Sequence, residues 1–173
     1  MSWAKYQMFS QLRKFEKILV TGPQRSGTTI CAKMISEDTG HKLILEEVFG
    51  NSLESFSIIV RGEINFVIQC PAMNKYIHRF DDDITAIILM RRNVDDIIAS
   101  EKRIAWEGTS ELKRYGLSAG IIADIKYNYW NTYQKHKITN AFEIEYEDLA
   151  VHPLWVPKEE RRNFTSRQIR LGE

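Results

Sequence analysis

Short apolar runs and amphipathic stretches take turns along this chain. Five runs predict strands: KILVTG at 17–22, HKLILEE at 41–47, INFVIQC at 64–70, ITAIILM at 84–90 and AFEIEY at 141–146. The first and fourth show little polar alternation, the pattern of parallel strands covered on both faces. Helical patterns lie between them, at 28–40 closing near Gly40, at 51–61, at 94–106 and at 117–136. In the third of these Asn93 is placed to cap the helix, with Asp95 and Asp96 in its positive first turn. In the fourth Ile121, Ile122, Ile125, Tyr129 and Tyr133 recur at helical spacing. Residues 3–14 predict a short helix, and a helical turn follows the fifth strand.

Strands alternating with helices imply an α/β fold, a three-layer sandwich around a mainly parallel five-stranded sheet. Ligands of such sheets sit at the carboxyl ends of the strands. That rule selects the loop after the first strand, Glu46 and Glu47 after the second, residues 69–73 after the third, 91–93 after the fourth, and Tyr146 onward after the fifth.

Composition narrows the partners. The 173 residues suit a single domain, with a core over about 17–153 and a basic tail at 154–173. With 43% hydrophobic and 27% charged residues and a net charge of +1, nothing points to nucleic acid or a membrane surface, so any anion site must be local. Cys31 and Cys70, in apolar surroundings, read as buried free thiols rather than a disulfide framework. No apolar run resembles a signal peptide or approaches the roughly 20 residues of a membrane span, so a cytoplasmic location is expected. A homo-oligomer stays open.

The chemistry gathers at GPQRSGTT, residues 22–29. It has the frame Gly-x-x-x-x-Gly-x-[ST] of a phosphate-binding loop, between a strand and a helix as that motif requires. Gly22 and Gly27 permit backbone angles that aim successive N–H groups at an anion, the helix adds its dipole, and Ser26, Thr28 and Thr29 add hydroxyls. Yet Thr28 stands where an ATP or GTP loop carries its lysine, and Arg25 lies inside the loop. Nucleotide hydrolysis and kinase chemistry use that lysine together with Mg²⁺. The third strand ends in Gln69-Cys70-Pro71 and the fourth in Met90-Arg91-Arg92, where a magnesium-binding carboxylate would be wanted. The site reads as built for an anion that needs no metal.

These residues resemble a known family. GPQRSGTT is similar to the 5′-phosphosulfate loop of the PAPS-dependent sulfotransferases, where a Lys or Arg precedes Ser-Gly-Thr-Thr. ILMRRNVDDIIAS, residues 88–100, resembles their 3′-phosphate motif Arg-Asn-Pro-x-Asp-x-x-x-Ser, with Arg92, Asn93, Asp96 and Ser100 on its positions and Val94 in place of the proline. EYEDLAVHP at 145–153 and IQCPAMNKYIHRF at 68–80 resemble the segments after the fifth and third strands. The likeness runs in family order from residue 17 to about 153 and implies a P-loop NTPase-like sheet in the order 2-3-1-4-5.

It also implies roles. PAPS would be the donor and PAP the product, without a metal. Gly22, Arg25, Ser26, Gly27, Thr28 and Thr29 would hold the 5′-phosphosulfate, Arg92 and Ser100 the 3′-phosphate, and Tyr146 would lie near the adenine. Without the family, Arg92 can still grip a phosphate through its fork of donors, although Arg91 and Arg92 also read as surface charges beside Asp95 and Asp96. Arg25 is suited to charge growing on the bridging oxygen. Members use a histidine or a glutamate after the second strand as base; His41, His78, His136 and His152 are poorly placed, which leaves Glu47 and Glu46, Glu47 slightly first. The family's C-terminal Arg-Lys-Gly segment has no counterpart here; Thr165, Ser166, Arg167 and Arg170 either reach a phosphate instead, with Arg167 the chosen candidate, or belong to a basic end. The acceptor, whether carbohydrate, protein tyrosine or small alcohol, is not written in the sequence. Two alternatives stand beside transfer: a P-loop nucleotide kinase or NTPase with a degenerate loop, and a non-catalytic PAP- or PAPS-binding module.

Overall fold

The computed structural model describes residues 8–103 and 119–157. Strands β1 (Lys17–Thr21), β2 (Lys42–Ile44), β3 (Phe66–Gln69), β4 (Thr85–Arg91) and β5 (Ala141–Glu145) form one sheet in the order β2-β3-β1-β4-β5. Every ladder is parallel. The α-helices described are α1 (Thr28–Thr39), α2 (Leu53–Gly62), α3 (Val94–Arg103) and α4 (Ala119–Thr132). This is the α/β architecture, sheet order included, that the alternating pattern and the family resemblance predict.

The apolar central strands serve two cores at once. Leu19, Phe66, Ile68, Ile87 and Leu89 pack with Phe56, Ile77 and Trp130 on one side of the sheet. Their neighbours Ile18, Val20, Val67, Ala86, Ile88 and Met90 pack with Cys31, Met34 and Ile35 of α1 on the other. Period-two side chains thus fill both layers, which is why the runs need no polar face. Trp130, fully buried from α4, is a principal anchor; truncating such a side chain to Ala typically costs about 3–5 kcal/mol.

Local signals fix the helix ends. Ser52 caps α2 by accepting the Ser55 N–H at 3.1 Å. Gly40 closes α1 at φ 77°, its N–H donating to the Ser36 carbonyl. Three details differ from the sequence pattern. The second strand stops at Ile44, because the Glu46 N–H donates to Gln69 Oε1 at 3.0 Å and the chain turns into a 3-10 helix, Glu46–Val48. Residues 71–80, after the third strand, form a 3-10 helix that the hydrophobic pattern did not single out, and within the predicted N-terminal helix Ser10–Lys14 are also 3-10. On α4 the buried face is Ile122, Ala123, Lys126 and Trp130, while Ile121, Ile125 and Tyr133 of the predicted stripe are exposed. Lys126 can take a buried position because its stem packs and its Nζ donates to the Pro71 carbonyl at 3.2 Å. The far ends of the predicted helices at 94–106 and 117–136 reach outside the described residues on the side between them.

Candidate functional site at the carboxyl edge of the sheet

Residues 22–27 form the turn between β1 and α1. Gly22, at φ 144°, passes so close to β4 that a Cβ would lie 3.0 Å from the Met90 carbonyl and 2.9 Å from Ser26 Oγ. Gly27 caps α1 at φ 98°, and a Cβ there would stand 2.5 Å from the Tyr146 ring. Both positions therefore require glycine for conformation and for space. Ser26 Oγ donates to the Pro23 carbonyl at 2.7 Å and is buried, so it braces the turn. Thr28, 4% exposed, receives the Gln69 Nε2 hydrogen at 3.4 Å, and Thr29 follows it in the first turn of α1, which carries no acidic residue. The helix dipole at this end therefore meets no carboxylate of its own first turn.

Arg25 links the loop to α3. Its backbone takes a positive φ of 66°, and its Nε donates to Ser100 Oγ at 3.1 Å. Ser100, on α3, is buried at 5% exposure. Burial, then the neighbouring charges of Arg103 and Arg92, lower the Arg25 pKa to about 10, with Tyr146 and Glu101 opposing. Burial in turn pushes the Glu101 carboxyl up while Arg25 pulls it down.

The adjacent arginines at the end of β4 diverge. Arg91 donates to Glu143 and Asn131 and lies over the Tyr127 ring. Arg92 turns to the loop: its Nη1 donates to the Arg25 carbonyl at 2.8 Å and its guanidinium sits 3.9 Å from the Tyr146 ring centroid, a stacked cation–π contact. Arg92 Nε is buried with no hydrogen-bond partner among the described residues. Such an orphaned charged donor fits a phosphate oxygen. Asn93 caps α3, accepting the Asp95 N–H at 2.9 Å and, longer, the Asp96 N–H. Tyr146, which begins the 3-10 helix Tyr146–Val151, therefore touches Gly27 on one hand and Arg92 on the other, with Trp155 5.0 Å away.

On the β2 side, Glu46 receives the Gln24 Nε2 hydrogen at 3.5 Å and, through its own N–H, meets Gln69. It is half-buried, and its charge adds to burial in pushing the Cys70 thiol up. Glu47 is exposed. The histidines are engaged elsewhere. His41 Nε2 lies 2.6 Å from the Phe15 carbonyl, His152 Nε2 lies 3.0 Å from Asp38 Oδ1, and His78 Nδ1 lies 3.1 Å from Gln134 Nε2. His136 is exposed in the 3-10 helix Gln134–Lys137. Cys31 and Cys70 are buried free thiols. Arg167 and the other tail residues lie outside the described residues.

The structure thus brings Arg25, Gly27, Arg92, Ser100 and Tyr146 into one contact network, with Gly22 packed at the start of the loop against Ser26 and Met90, and sets Glu46 at its β2 side. Sequence reasoning missed three supports. Gln24 and Gln69 tie the loop to Glu46. Tyr127 Oη receives the Arg92 N–H at 2.9 Å and donates to the Met90 carbonyl at 3.1 Å. Gln69 stands at a strand end, where the topological rule points; Tyr127 had no sequence signal beyond its place on a helix.

No family model matches the chain, and no curated protein matches it in sequence. Among the described residues no helix is long and apolar enough to cross a membrane. Solved structures do match. The chain is similar to shikimate kinase from Acinetobacter baumannii in complex with shikimate, with a TM-score of 0.52 at 12% identity over 82% of this chain and 92% of that one. It is also similar to deoxyadenosine kinase from M. mycoides with bound dATP, with a TM-score of 0.49 at 13% identity over 84% and 94%. At such identity the shikimate kinase likeness speaks to the fold alone: the chain has a P-loop-type α/β fold similar to that of this kinase.

Proposed function

We propose that the protein is a minimal PAPS-dependent sulfotransferase, moving a sulfuryl group to a hydroxyl or amine acceptor. The observation that carries this is the chain of contacts from Ser100 to Arg25, from Arg25 to Arg92 and from Arg92 to the Tyr146 ring, beside a phosphate loop whose lysine position holds a buried threonine. Two cations and a hydroxyl are thus linked to the loop, which suits a nucleotide whose ribose carries a phosphate at both its 5′ and 3′ positions.

PAPS would supply an activated sulfuryl group on its 5′-phosphate. The backbone N–H groups of the loop, with Thr28 and Thr29, would hold that end, and Arg92 and Ser100 the 3′-phosphate. Arg25 spans both, its backbone in the loop and its head on Ser100, and would carry the charge that develops as the leaving phosphate separates. Glu46, wired to Gln24 and Gln69, is better placed than exposed Glu47 to take the acceptor's proton. A carbohydrate, a protein tyrosine or a small alcohol would each offer a suitable acceptor hydroxyl.

A second reading, phosphoryl transfer from a nucleoside triphosphate, draws on the fold shared with shikimate kinase. A thermal-shift panel of PAP, PAPS, ATP and GTP, each with and without Mg²⁺, separates the two. PAP and PAPS should stabilise the protein without Mg²⁺, by about 2.7 kcal/mol at 100 times the dissociation constant. A shift with ATP or GTP and Mg²⁺, and none with PAP, overturns the sulfotransferase reading. Transfer of label from PAPS to an acceptor then distinguishes an enzyme from a non-catalytic PAP-binding module.

A further inference from the structure

The buried run of β3 ends on a polar residue. Period-two alternation sends Ile68 to the Phe56 side of the sheet and Val67 to the α1 side, and Gln69 follows Val67. Its backbone pairs with Val20, just before the phosphate loop. Gln69 is 4% exposed, so its amide must find partners inside the protein. It finds two: Oε1 accepts the Glu46 N–H at 3.0 Å, and Nε2 faces Thr28 Oγ1 at 3.4 Å. A backbone N–H can only donate, so Glu46 fixes which end of the amide is which. The oxygen faces Glu46 and the donor end faces Thr28. The Thr28 hydroxyl therefore meets a donor and cannot give its own hydrogen to Gln69. Among the described residues Gln69 is that hydroxyl's one hydrogen-bond partner. Its hydrogen is left for a guest of the loop, beside the N–H groups at the start of α1.

We propose that Gln69 is a positioning residue for the phosphate loop: its amide, oriented by the Glu46 N–H, makes the Thr28 hydroxyl donate its hydrogen to the anion that the loop holds. This rests on the reading of the loop as a nucleotide site. A carboxylate at position 69 would do the reverse. It would take the Thr28 hydrogen for itself and set a negative charge beside the anion. An uncharged amide avoids both.

The test is calorimetric binding of PAP without Mg²⁺ to the unmutated protein, Gln69→Glu, Gln69→Met, Thr28→Val and the double variant of the last two. Gln69→Glu keeps an oxygen for the Glu46 N–H and loses only the donor. At about pH 8 it should bind PAP about tenfold or more weakly than the unmutated protein. That ratio should shrink toward one by about pH 5, because a protonated carboxyl regains an O–H to point at Thr28. Out of water and beside an anion, such a carboxyl keeps its proton to higher pH. Glu46, Arg25 and Arg92 are present in both proteins, so the ratio cancels their effects. Gln69→Met should weaken PAP about three- to tenfold, and the loss should vanish when Thr28 is already valine. This cycle places no charge in the interior and decides the matter by itself if Gln69→Glu does not fold. If Gln69→Glu matches the unmutated protein at every pH, or is weaker by one factor at every pH, the role of Gln69 is overturned while the site reading stands. The same follows if the Gln69→Met loss persists beside Thr28→Val. No PAP binding by the unmutated protein overturns the site reading and this inference with it.

Discussion

At the end of β4 two arginines stand side by side and meet opposite surroundings. Arg91 finds a carboxylate, Glu143, which also receives the Trp130 Nε1 hydrogen at 2.9 Å, so its charge is consumed in tying β4 to β5 and α4. Arg92 finds another arginine's carbonyl, a tyrosine face and like charges, with its Nε buried and unpartnered among the described residues. The first arrangement is complete as it stands. The second is electrostatically unfinished, and that difference is what a ligand site would show, more than the presence of basic residues alone. In sequence both are one doublet, RR; the strand's alternation sends them to different sides.

The sharpest way to break the comparison is to remove the loop cation. Arg25→Ala should lower the turnover of sulfuryl transfer by on the order of 10²-fold or more, as loss of a preorganised electrostatic group does. Arg25→Lys should restore part of it. PAP binding should change less, although the Ser100 contact means it will change. Steady-state transfer from labelled PAPS, beside calorimetry with PAP, measures both. An Arg25→Ala variant with unchanged turnover at saturation makes the arginine a binding clamp alone.

Next in size is Arg92 itself. Arg92→Ala should weaken PAP by roughly 10- to 100-fold and erase its preference over AMP, because a charge-assisted phosphate contact contributes roughly 1.5–3 kcal/mol. Arg91→Ala should leave both affinities within about twofold, as expected of a residue outside the ligand's reach. Calorimetry on the pair tests the contrast directly, and equal losses would abolish it.

The layers and strand order were legible because parallel strands buried on both faces leave compact apolar runs, and the family-like motifs lie in the same order. The loop, Arg92 and Ser100 were legible because their spacing is local, within one turn or one helix. What stayed hidden depended on contacts between distant segments. Nothing near Glu46 in sequence says that Gln24 and Gln69 will hold it, so Glu46 and Glu47 were hard to rank. The face of α4 was misjudged because isoleucines at 121 and 125 outbid a lysine at 126 in any hydrophobic pattern, yet the lysine found a carbonyl. Tyr127 was invisible for a similar reason: its hydroxyl acts on backbone groups of β4, 35 and 37 residues away.

That tyrosine sharpens the comparison in a smaller way. Burial raises its pKa to about 12, so it stays a neutral phenol able to donate and accept at once. Tyr127→Phe removes both contacts at the strand end that aims Arg92. It should weaken PAP by about fivefold, in keeping with about 1 kcal/mol for a hydrogen bond, with AMP less affected. A uniform loss for PAP and AMP would mean that the phenol supports the fold and does not position Arg92.

The smallest effect belongs to Arg91 and its partner. Burial pushes the Glu143 carboxyl up, but the Arg91 hydrogen bond and charge, with Trp130, outweigh it and hold its pKa below the usual value. A carboxylate with a depressed folded pKa stabilises fully above its unfolded pKa, and the contribution is lost as pH falls through the folded one. Glu143 is 41% exposed at its side chain, so solvent screens the pair and an effect of about 0.5–1 kcal/mol is expected. Glu143→Gln, which keeps an oxygen for Trp130, should therefore lower the melting temperature by about 1–4 °C at pH 7. That gap should close as pH drops below the ordinary glutamate range near about 4. PAP affinity should stay unchanged at pH 7. Melting curves at several pH values and one calorimetric titration decide it. If Glu143→Gln weakens PAP as Arg92→Ala is expected to, Arg91 is part of the site after all, and the division between the two arginines does not hold.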